Sequence, residues 1–139
     1  MSTRVFYELW QMECCGEPFR TGDRIKWYVI SAACLTSDVG IKDLDYVYDA
    51  HFDDWEGVNI LKGVVKKIFI YYVKYNLIEG DPHRMMVPVC EINELIEADS
   101  SHIDEMERNK LKAFGYVIEL DDVTVREAKP KEEIDRVEA

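Results

Sequence analysis

The run Ile60 to Asn76, ILKGVVKKIFIYYVKYN, constrains the fold more than any other stretch of the chain. Leu61, Val64, Val65, Ile68 and Tyr72 fall at the i, i+3, i+4 spacing of a helical stripe, yet the same residues fit a strand if the chain bends. Composition arbitrates. Paired valines followed by Ile-Phe-Ile-Tyr-Tyr-Val give a density of β-branched and aromatic side chains that loses rotamer freedom in a helix and packs well on a pleated surface. The expectation is a long, bent strand, with Gly63 as the site of a bulge. Lys66, Lys67 and Lys74 interrupt the apolar character, and no run of eighteen apolar residues occurs, so the sequence excludes a helical membrane span.

The remaining segments are organised around this strand. Arg4 to Met12 alternates Val5, Tyr7 and Leu9 with Phe6, Trp10 and Met12, which predicts a first strand covered on both faces. Turn residues at Gly16-Glu-Pro18 and Thr21-Gly-Asp23 precede a second strand over Arg24 to Ala33, where Ile25, Trp27 and Val29 alternate with Lys26 and Tyr28. Leu35 to Asn59 reads as a long loop holding a short edge strand around Leu44, Tyr46 and Tyr48. Gly80-Asp-Pro82 turns the long strand into a return strand, Met85 to Cys90, whose Pro88 requires an edge or a bulge. Ser101, with Asp104 three residues on, offers a helix start, and Gly115 offers a stop, so Ser101 to Phe114 is predicted as the one late helix. Its inner stripe would be Ile103, Met106, Lys110, Leu111 and Phe114. Tyr116 to Leu120 forms a last strand with Tyr116, Ile118 and Leu120 inward and Val117 and Glu119 outward, followed by a change of phase at Asp121-Asp122.

With 139 residues, 47% of them apolar, the chain suits one domain with its own core. Residues 1–128 are assigned to that domain and residues 129–139, rich in charge and containing Pro130, to a flexible tail. The fold class expected is mainly β, a small antiparallel barrel of five to six strands with one late helix, since closure removes exposed sheet edges. Gly22-Asp23-Arg-Ile-Lys-Trp27, Gly63-Val-Val65 and Tyr116-Val-Ile-Glu-Leu-Asp-Asp-Val123 together resemble the strands of SH3-like barrels; an OB-like arrangement is the neighbouring possibility.

The N-terminal string Trp10-Gln-Met-Glu-Cys-Cys-Gly-Glu-Pro-Phe19, followed by Gly22-Asp23 and Trp27, resembles the opening of a family of uncharacterised bacterial proteins. The likeness extends through Gly63-Val-Val65 and Gly115-Tyr-Val-Ile-Glu-Leu-Asp121. It implies bacterial origin and a single small domain, and it carries no activity with it.

The N-terminus lacks the apolar stretch of an export signal, which leads to the expectation of a cytoplasmic protein with reduced cysteines. The net charge of −11 argues against neutralising nucleic-acid phosphates. That charge is uneven: Asp43 to Glu56 and Glu91 to Glu107 are acidic without a Lys or Arg, while Lys62, Lys66, Lys67 and Lys74 lie between them. Phe69, Tyr71, Tyr72 and Tyr75 beside these lysines suggest the stacking face of a single-strand-binding barrel, but on a strand half of such rings must point into the core.

Three groups of residues could carry function. Adjacent Cys14 and Cys15 could ligate zinc or exchange electrons, although tetrahedral zinc favours thiolates spaced as C-x2-C, and a site here needs Cys34, Cys90, His51, His83 or His102 to converge on the pair. Ala50-His-Phe-Asp-Asp-Trp-Glu56 gathers His51, Asp53, Asp54 and Trp55 in one loop, a mixture suited to a polar pocket. Trp27, Tyr71 and Tyr75 could present rings to a partner. No nucleophile elbow, phosphate-binding glycine loop, dinucleotide fingerprint or His-Glu-x-x-His string is present. The sequence therefore points to a binding module without catalytic residues, cofactor or membrane contact. Its partner would be another protein or a second copy of the chain, met through aromatic residues and acidic loops. The competing reading is a metal-binding or thiol-redox protein built on Cys14 and Cys15.

Overall fold

The computed structural model describes residues 2–14, 16–34, 40–41, 43–50, 56–77, 79–80, 82–83, 85–128 and 137–138. The chain is mainly β. Its strands are β1 (Thr3–Glu8), β2 (Arg24–Ser31), β3 (Tyr46–Tyr48), β4 (Asn59–Leu77), β5 (Met86–Ala98), β6 (Glu107–Arg108), β7 (Leu111–Glu127) and β8 (Val137–Glu138). A short helix, α1 (Leu9–Cys14), follows β1, and a 3-10 turn at Ala32–Cys34 follows β2. All of these strands belong to one sheet with the order β5-β4-β2-β3-β1-β7-β6, in which β8 pairs with β2. Strand β4 also pairs with β7, so the path β4, β2, β3, β1, β7 returns to its starting strand.

Strand β4 is the long bent member that composition predicts. Its first part lies between β2 and β7, and its second part between β5 and β7. Register shifts interrupt the β4–β7 ladder at Lys62/Val64, around Gly63, and again at Val65/Lys67 and Tyr71/Tyr72. A bulge adds one residue to one strand and reverses which face the following side chains meet. Leu61, Val65, Ile68 and Tyr72 therefore all enter the main core: the steps of four keep the same face, and the odd step from Val65 to Ile68 is absorbed by the extra β4 residue at Val65/Lys67. The helical stripe seen in the sequence is the trace of an interrupted strand.

The core has two main parts because β1, β4 and β7 are covered on both faces. Val5, Tyr7, Trp27, Tyr48, Ile118 and Leu120 belong to the larger cluster, while Phe6, Tyr71, Val73 and Val117 form a second one behind it. In the larger cluster Tyr7 stacks on Tyr48 at 3.8 Å, and Trp27 meets Tyr7 edge-on at 5.4 Å and Phe19 at 5.3 Å. The stack follows from the parallel pairing of Phe6 with Val47, which sets the next residue of each strand side by side. Such ring contacts add about 0.5–1.5 kcal/mol each beyond the area they bury.

Several expectations are corrected. In place of five to six antiparallel strands the described residues form eight, and the β1–β3 pairing is parallel. The first strand ends at Glu8, where the spacing of Leu9 and Met12 turns helical and both pack against the core. β3 is not an edge strand; it pairs in parallel with β1 and antiparallel with β2. The late helix does not form. Asn109 and Lys110 adopt left-handed φ values of 50° and 66°, and Arg108 pairs with Leu111 across them, the pattern of a two-residue hairpin turn. The residues proposed for the helix stripe divide, with Leu111 in the larger cluster and Phe114 packed against the second. Val117, expected to face outward, is buried. At Asp122 a φ of 53° accompanies the register shift expected there. The return strand runs on to Ala98 and, within the sheet order, is terminal, which accommodates Pro88. Among the described residues no helix is long and apolar enough to cross a membrane.

Candidate functional site

α1, the Pro18 to Asp23 turn and the Ser100 to Met106 loop surround an open cleft of about 560 Å³. Phe19 and Tyr116 form its buried base, and Leu9, Met12, Ile103 and Met106 form apolar walls. Glu13, Arg20, Asp23 and His102 supply the polar rim. A volume of this size, apolar with a few polar groups at its margin, lies within the range of small-molecule and side-chain pockets.

Each wall is fixed by buried hydrogen bonds. On one side, Gln11 is the buried polar residue of α1: its Nε2 donates to the Tyr48 carbonyl at 3.2 Å, and its Oε1 accepts from the Ala50 amide at 2.9 Å. These bonds tie α1 to the end of β3. The Gly16 amide donates back to the Gln11 carbonyl at 2.9 Å, and Gly16 lies so close to the Tyr7 hydroxyl and the Met12 backbone that a Cβ has no room there. On the other side, Ser101 is clamped to Phe19. The Ser101 amide donates to the Phe19 carbonyl at 2.8 Å, and the Phe19 amide donates to Ser101 Oγ at 3.0 Å. The Tyr116 hydroxyl donates to the Ser101 carbonyl at 2.7 Å, the Tyr72 hydroxyl to the Glu105 carbonyl at 2.8 Å, and the Ala113 amide to the Met106 carbonyl at 2.8 Å. The loop bordering the cleft is therefore anchored at three points to β4 and β7. Preorganised walls lower the ordering cost of binding.

Electrostatics follow from the same geometry. Burial, followed by the nearby Glu13 carboxylate and Tyr72, pushes the Tyr116 phenol up to about 12. The hydroxyl is thus a hydrogen-bond donor at neutral pH. Tyr72 is also raised, first by burial and then by Glu105. His102 Nε2 lies 3.0 Å from Asp104 Oδ1 in an exposed pair.

Several residues chosen from the sequence are elsewhere. Trp27 and Tyr71 are core side chains, 1% and 0% exposed, so neither presents its ring to a partner. Trp27 is enclosed by Tyr7, Phe19 and Tyr48, and Tyr71 by Phe6 and Phe114. Tyr75 is only partly buried and lines a smaller depression of about 330 Å³ with Glu8, Trp10, Pro88 and Phe114. His51, Asp53, Asp54, Trp55 and Cys15 lie outside the described residues. Cys14 is disulfide-bonded, where reduced cysteines were expected, and Cys90 is not part of a disulfide. Among the described residues no group of three His, Cys, Asp or Glu side chains converges.

The cleft itself escaped the sequence reading, because its parts come from three separated segments. One signal was available: Ser100-Ser101-His-Ile-Asp104 combines short polar side chains with one apolar residue, a pattern as compatible with a bonded loop as with a helix cap.

Residues 1–122 match the model of a family of unknown function, DUF6578. No curated protein and no solved structure matches the chain.

Proposed function

The chain belongs to that family, and we propose that it is a small binding module of barrel type whose docking site is the cleft between α1 and the Ser100 to Met106 loop. The return of the strand path to β4 supports the barrel reading, with the SH3-like and OB-like types as its nearest architectures. One observation carries the function: an open cleft of about 560 Å³ has a base of buried rings and walls fixed by hydrogen bonds between side chains and backbone. Binding rather than catalysis is supported by the state of its base, where the Tyr116 hydroxyl is committed to a backbone carbonyl and held far from ionisation at neutral pH.

A screen of small neutral apolar fragments by ¹H–¹⁵N NMR tests this reading. Fragments should shift the amides of Leu9, Met12, Phe19, Ile103 and Tyr116 together, and Ile103→Asp should abolish the effect without unfolding the protein. Fragment responses scattered over the surface, or none near these residues, would refute it.

A further inference from the structure

The cleft is one of two neighbouring depressions. Leu9 and Glu13 line both the cleft and the smaller groove formed with Trp10, Tyr75 and Phe114, so the two flank α1. Trp10 is 49% exposed, and its Nε1 donates to Glu8 Oε2 at 2.7 Å, which holds the indole along the groove. The ionisable groups around this double depression are mostly acidic. Glu8, Glu13 and Asp23 contribute carboxylates and Arg20 one guanidinium, while His102 is paired with Asp104. Glu13, on the saddle between the depressions, is exposed, and its side chain makes no hydrogen bond or ion pair among the described residues. The whole chain carries −11, so its long-range field attracts cations and opposes a second copy of itself.

We infer that the two depressions together receive one extended basic and apolar segment of a partner protein. An apolar side chain fills the cleft, a Lys or Arg crosses α1 over Glu13, and a second apolar or aromatic side chain rests against Trp10 and Tyr75. The spacing follows from the saddle. A helix with its side chains is roughly 10–12 Å wide, and an extended chain advances about 3.3–3.6 Å per residue. The two anchors are therefore about three to four residues apart, with the basic residue between them. Charge complementarity favours this occupant over an acidic or neutral segment, and the inference rests on the cleft being a binding site.

The test is selection of phage-displayed random dodecapeptides on the immobilised full chain, followed by NMR with a synthetic copy of the enriched sequence. The enriched pool should carry Lys or Arg flanked by apolar residues at that spacing. The synthetic peptide should shift amides in both depressions and bind more weakly as salt is raised. Glu13→Lys, an exposed change that reverses the charge on the saddle, should weaken it roughly tenfold or more, with the amide spectrum outside the two depressions unchanged. No enrichment, an enriched pool without basic residues, shifts limited to one depression, or an unchanged affinity in Glu13→Lys would each overturn the inference. If fragments occupy the cleft and peptides fail, only the peptide assignment falls; if fragments also fail, the binding site itself falls.

Discussion

Replacing Tyr116 by Phe removes one oxygen from the base of the cleft, and its effect can be worked through from the structure. The hydroxyl donates to the Ser101 carbonyl at 2.7 Å, and Ser101 in turn holds Phe19 through two further hydrogen bonds. Tyr116 is 1% exposed, so no solvent molecule simply takes the place of the lost donor. Leaving a buried carbonyl unpaired costs about 1–3 kcal/mol; because Ser101 keeps its bonds to Phe19, the lower half, about 1–2 kcal/mol, is expected. The pH dependence supplies a second, independent signature. Burial raises the folded-state pKa from 10 to about 12, so the neutral phenol is the form the fold prefers. Stability from this group is complete below pH 10 and is lost as pH rises toward 12. A two-unit shift corresponds to about 2.7 kcal/mol for a fully dry group. The adjoining open cleft screens the charge, and about half that value is the better expectation. Urea unfolding of both proteins between pH 8 and 12 measures the difference. The wild type should lead by about 1–2 kcal/mol at pH 8, and the lead should shrink through pH 10–12 as only the wild type titrates this group. A difference that stays constant across that range would refute the assigned role of the hydroxyl.

Three further substitutions test the supports around the site. Gln11→Leu leaves the Tyr48 carbonyl and Ala50 amide without the side-chain partners that join α1 to β3; a loss of about 1–3 kcal/mol in chemical denaturation, with weaker fragment binding in the cleft, is expected. Gly115→Ala places a Cβ 2.5 Å from the Tyr7 carbonyl oxygen, backbone against backbone, where β1 and β7 pair. It should lower stability by about 2 kcal/mol or more, read as the urea midpoint, and a wild-type midpoint would contradict that close approach. Lys110→Gly relieves a left-handed residue in the β6–β7 turn, and calorimetry should record a gain of about 0.5–1 kcal/mol.

Much of the sheet was legible because alternation and turn chemistry act locally. β2, the long β4 with its irregularity at Gly63, and the phase change at Asp122 follow from residues within a few positions of one another. The failures occur where distant partners decide. Ser101 carries the marks of a helix cap, yet its amide is claimed by Phe19 and its carbonyl by Tyr116, so the segment becomes a bonded loop instead. Trp27 and Tyr71 read as display residues because a ring's chemistry is the same inside and outside, and only the coverage of β4 on both faces shows that Tyr71 is enclosed. The cleft depends on Leu9, Phe19, Ile103 and Tyr116 meeting from separate segments, and no local pattern encodes that meeting.

The dependence of β4 on β7 has a consequence during synthesis. β4 ends at Leu77 and β7 at Glu127, so about 50 residues separate the emergence of one strand from that of its long partner. At translation speeds of 5–20 residues per second, Ile68 to Val73 leaves the ribosome roughly 3–10 s before that flank can be covered. Lys66, Lys67 and Lys74 bracket the sticky stretch and can act as gatekeepers against aggregation in that interval.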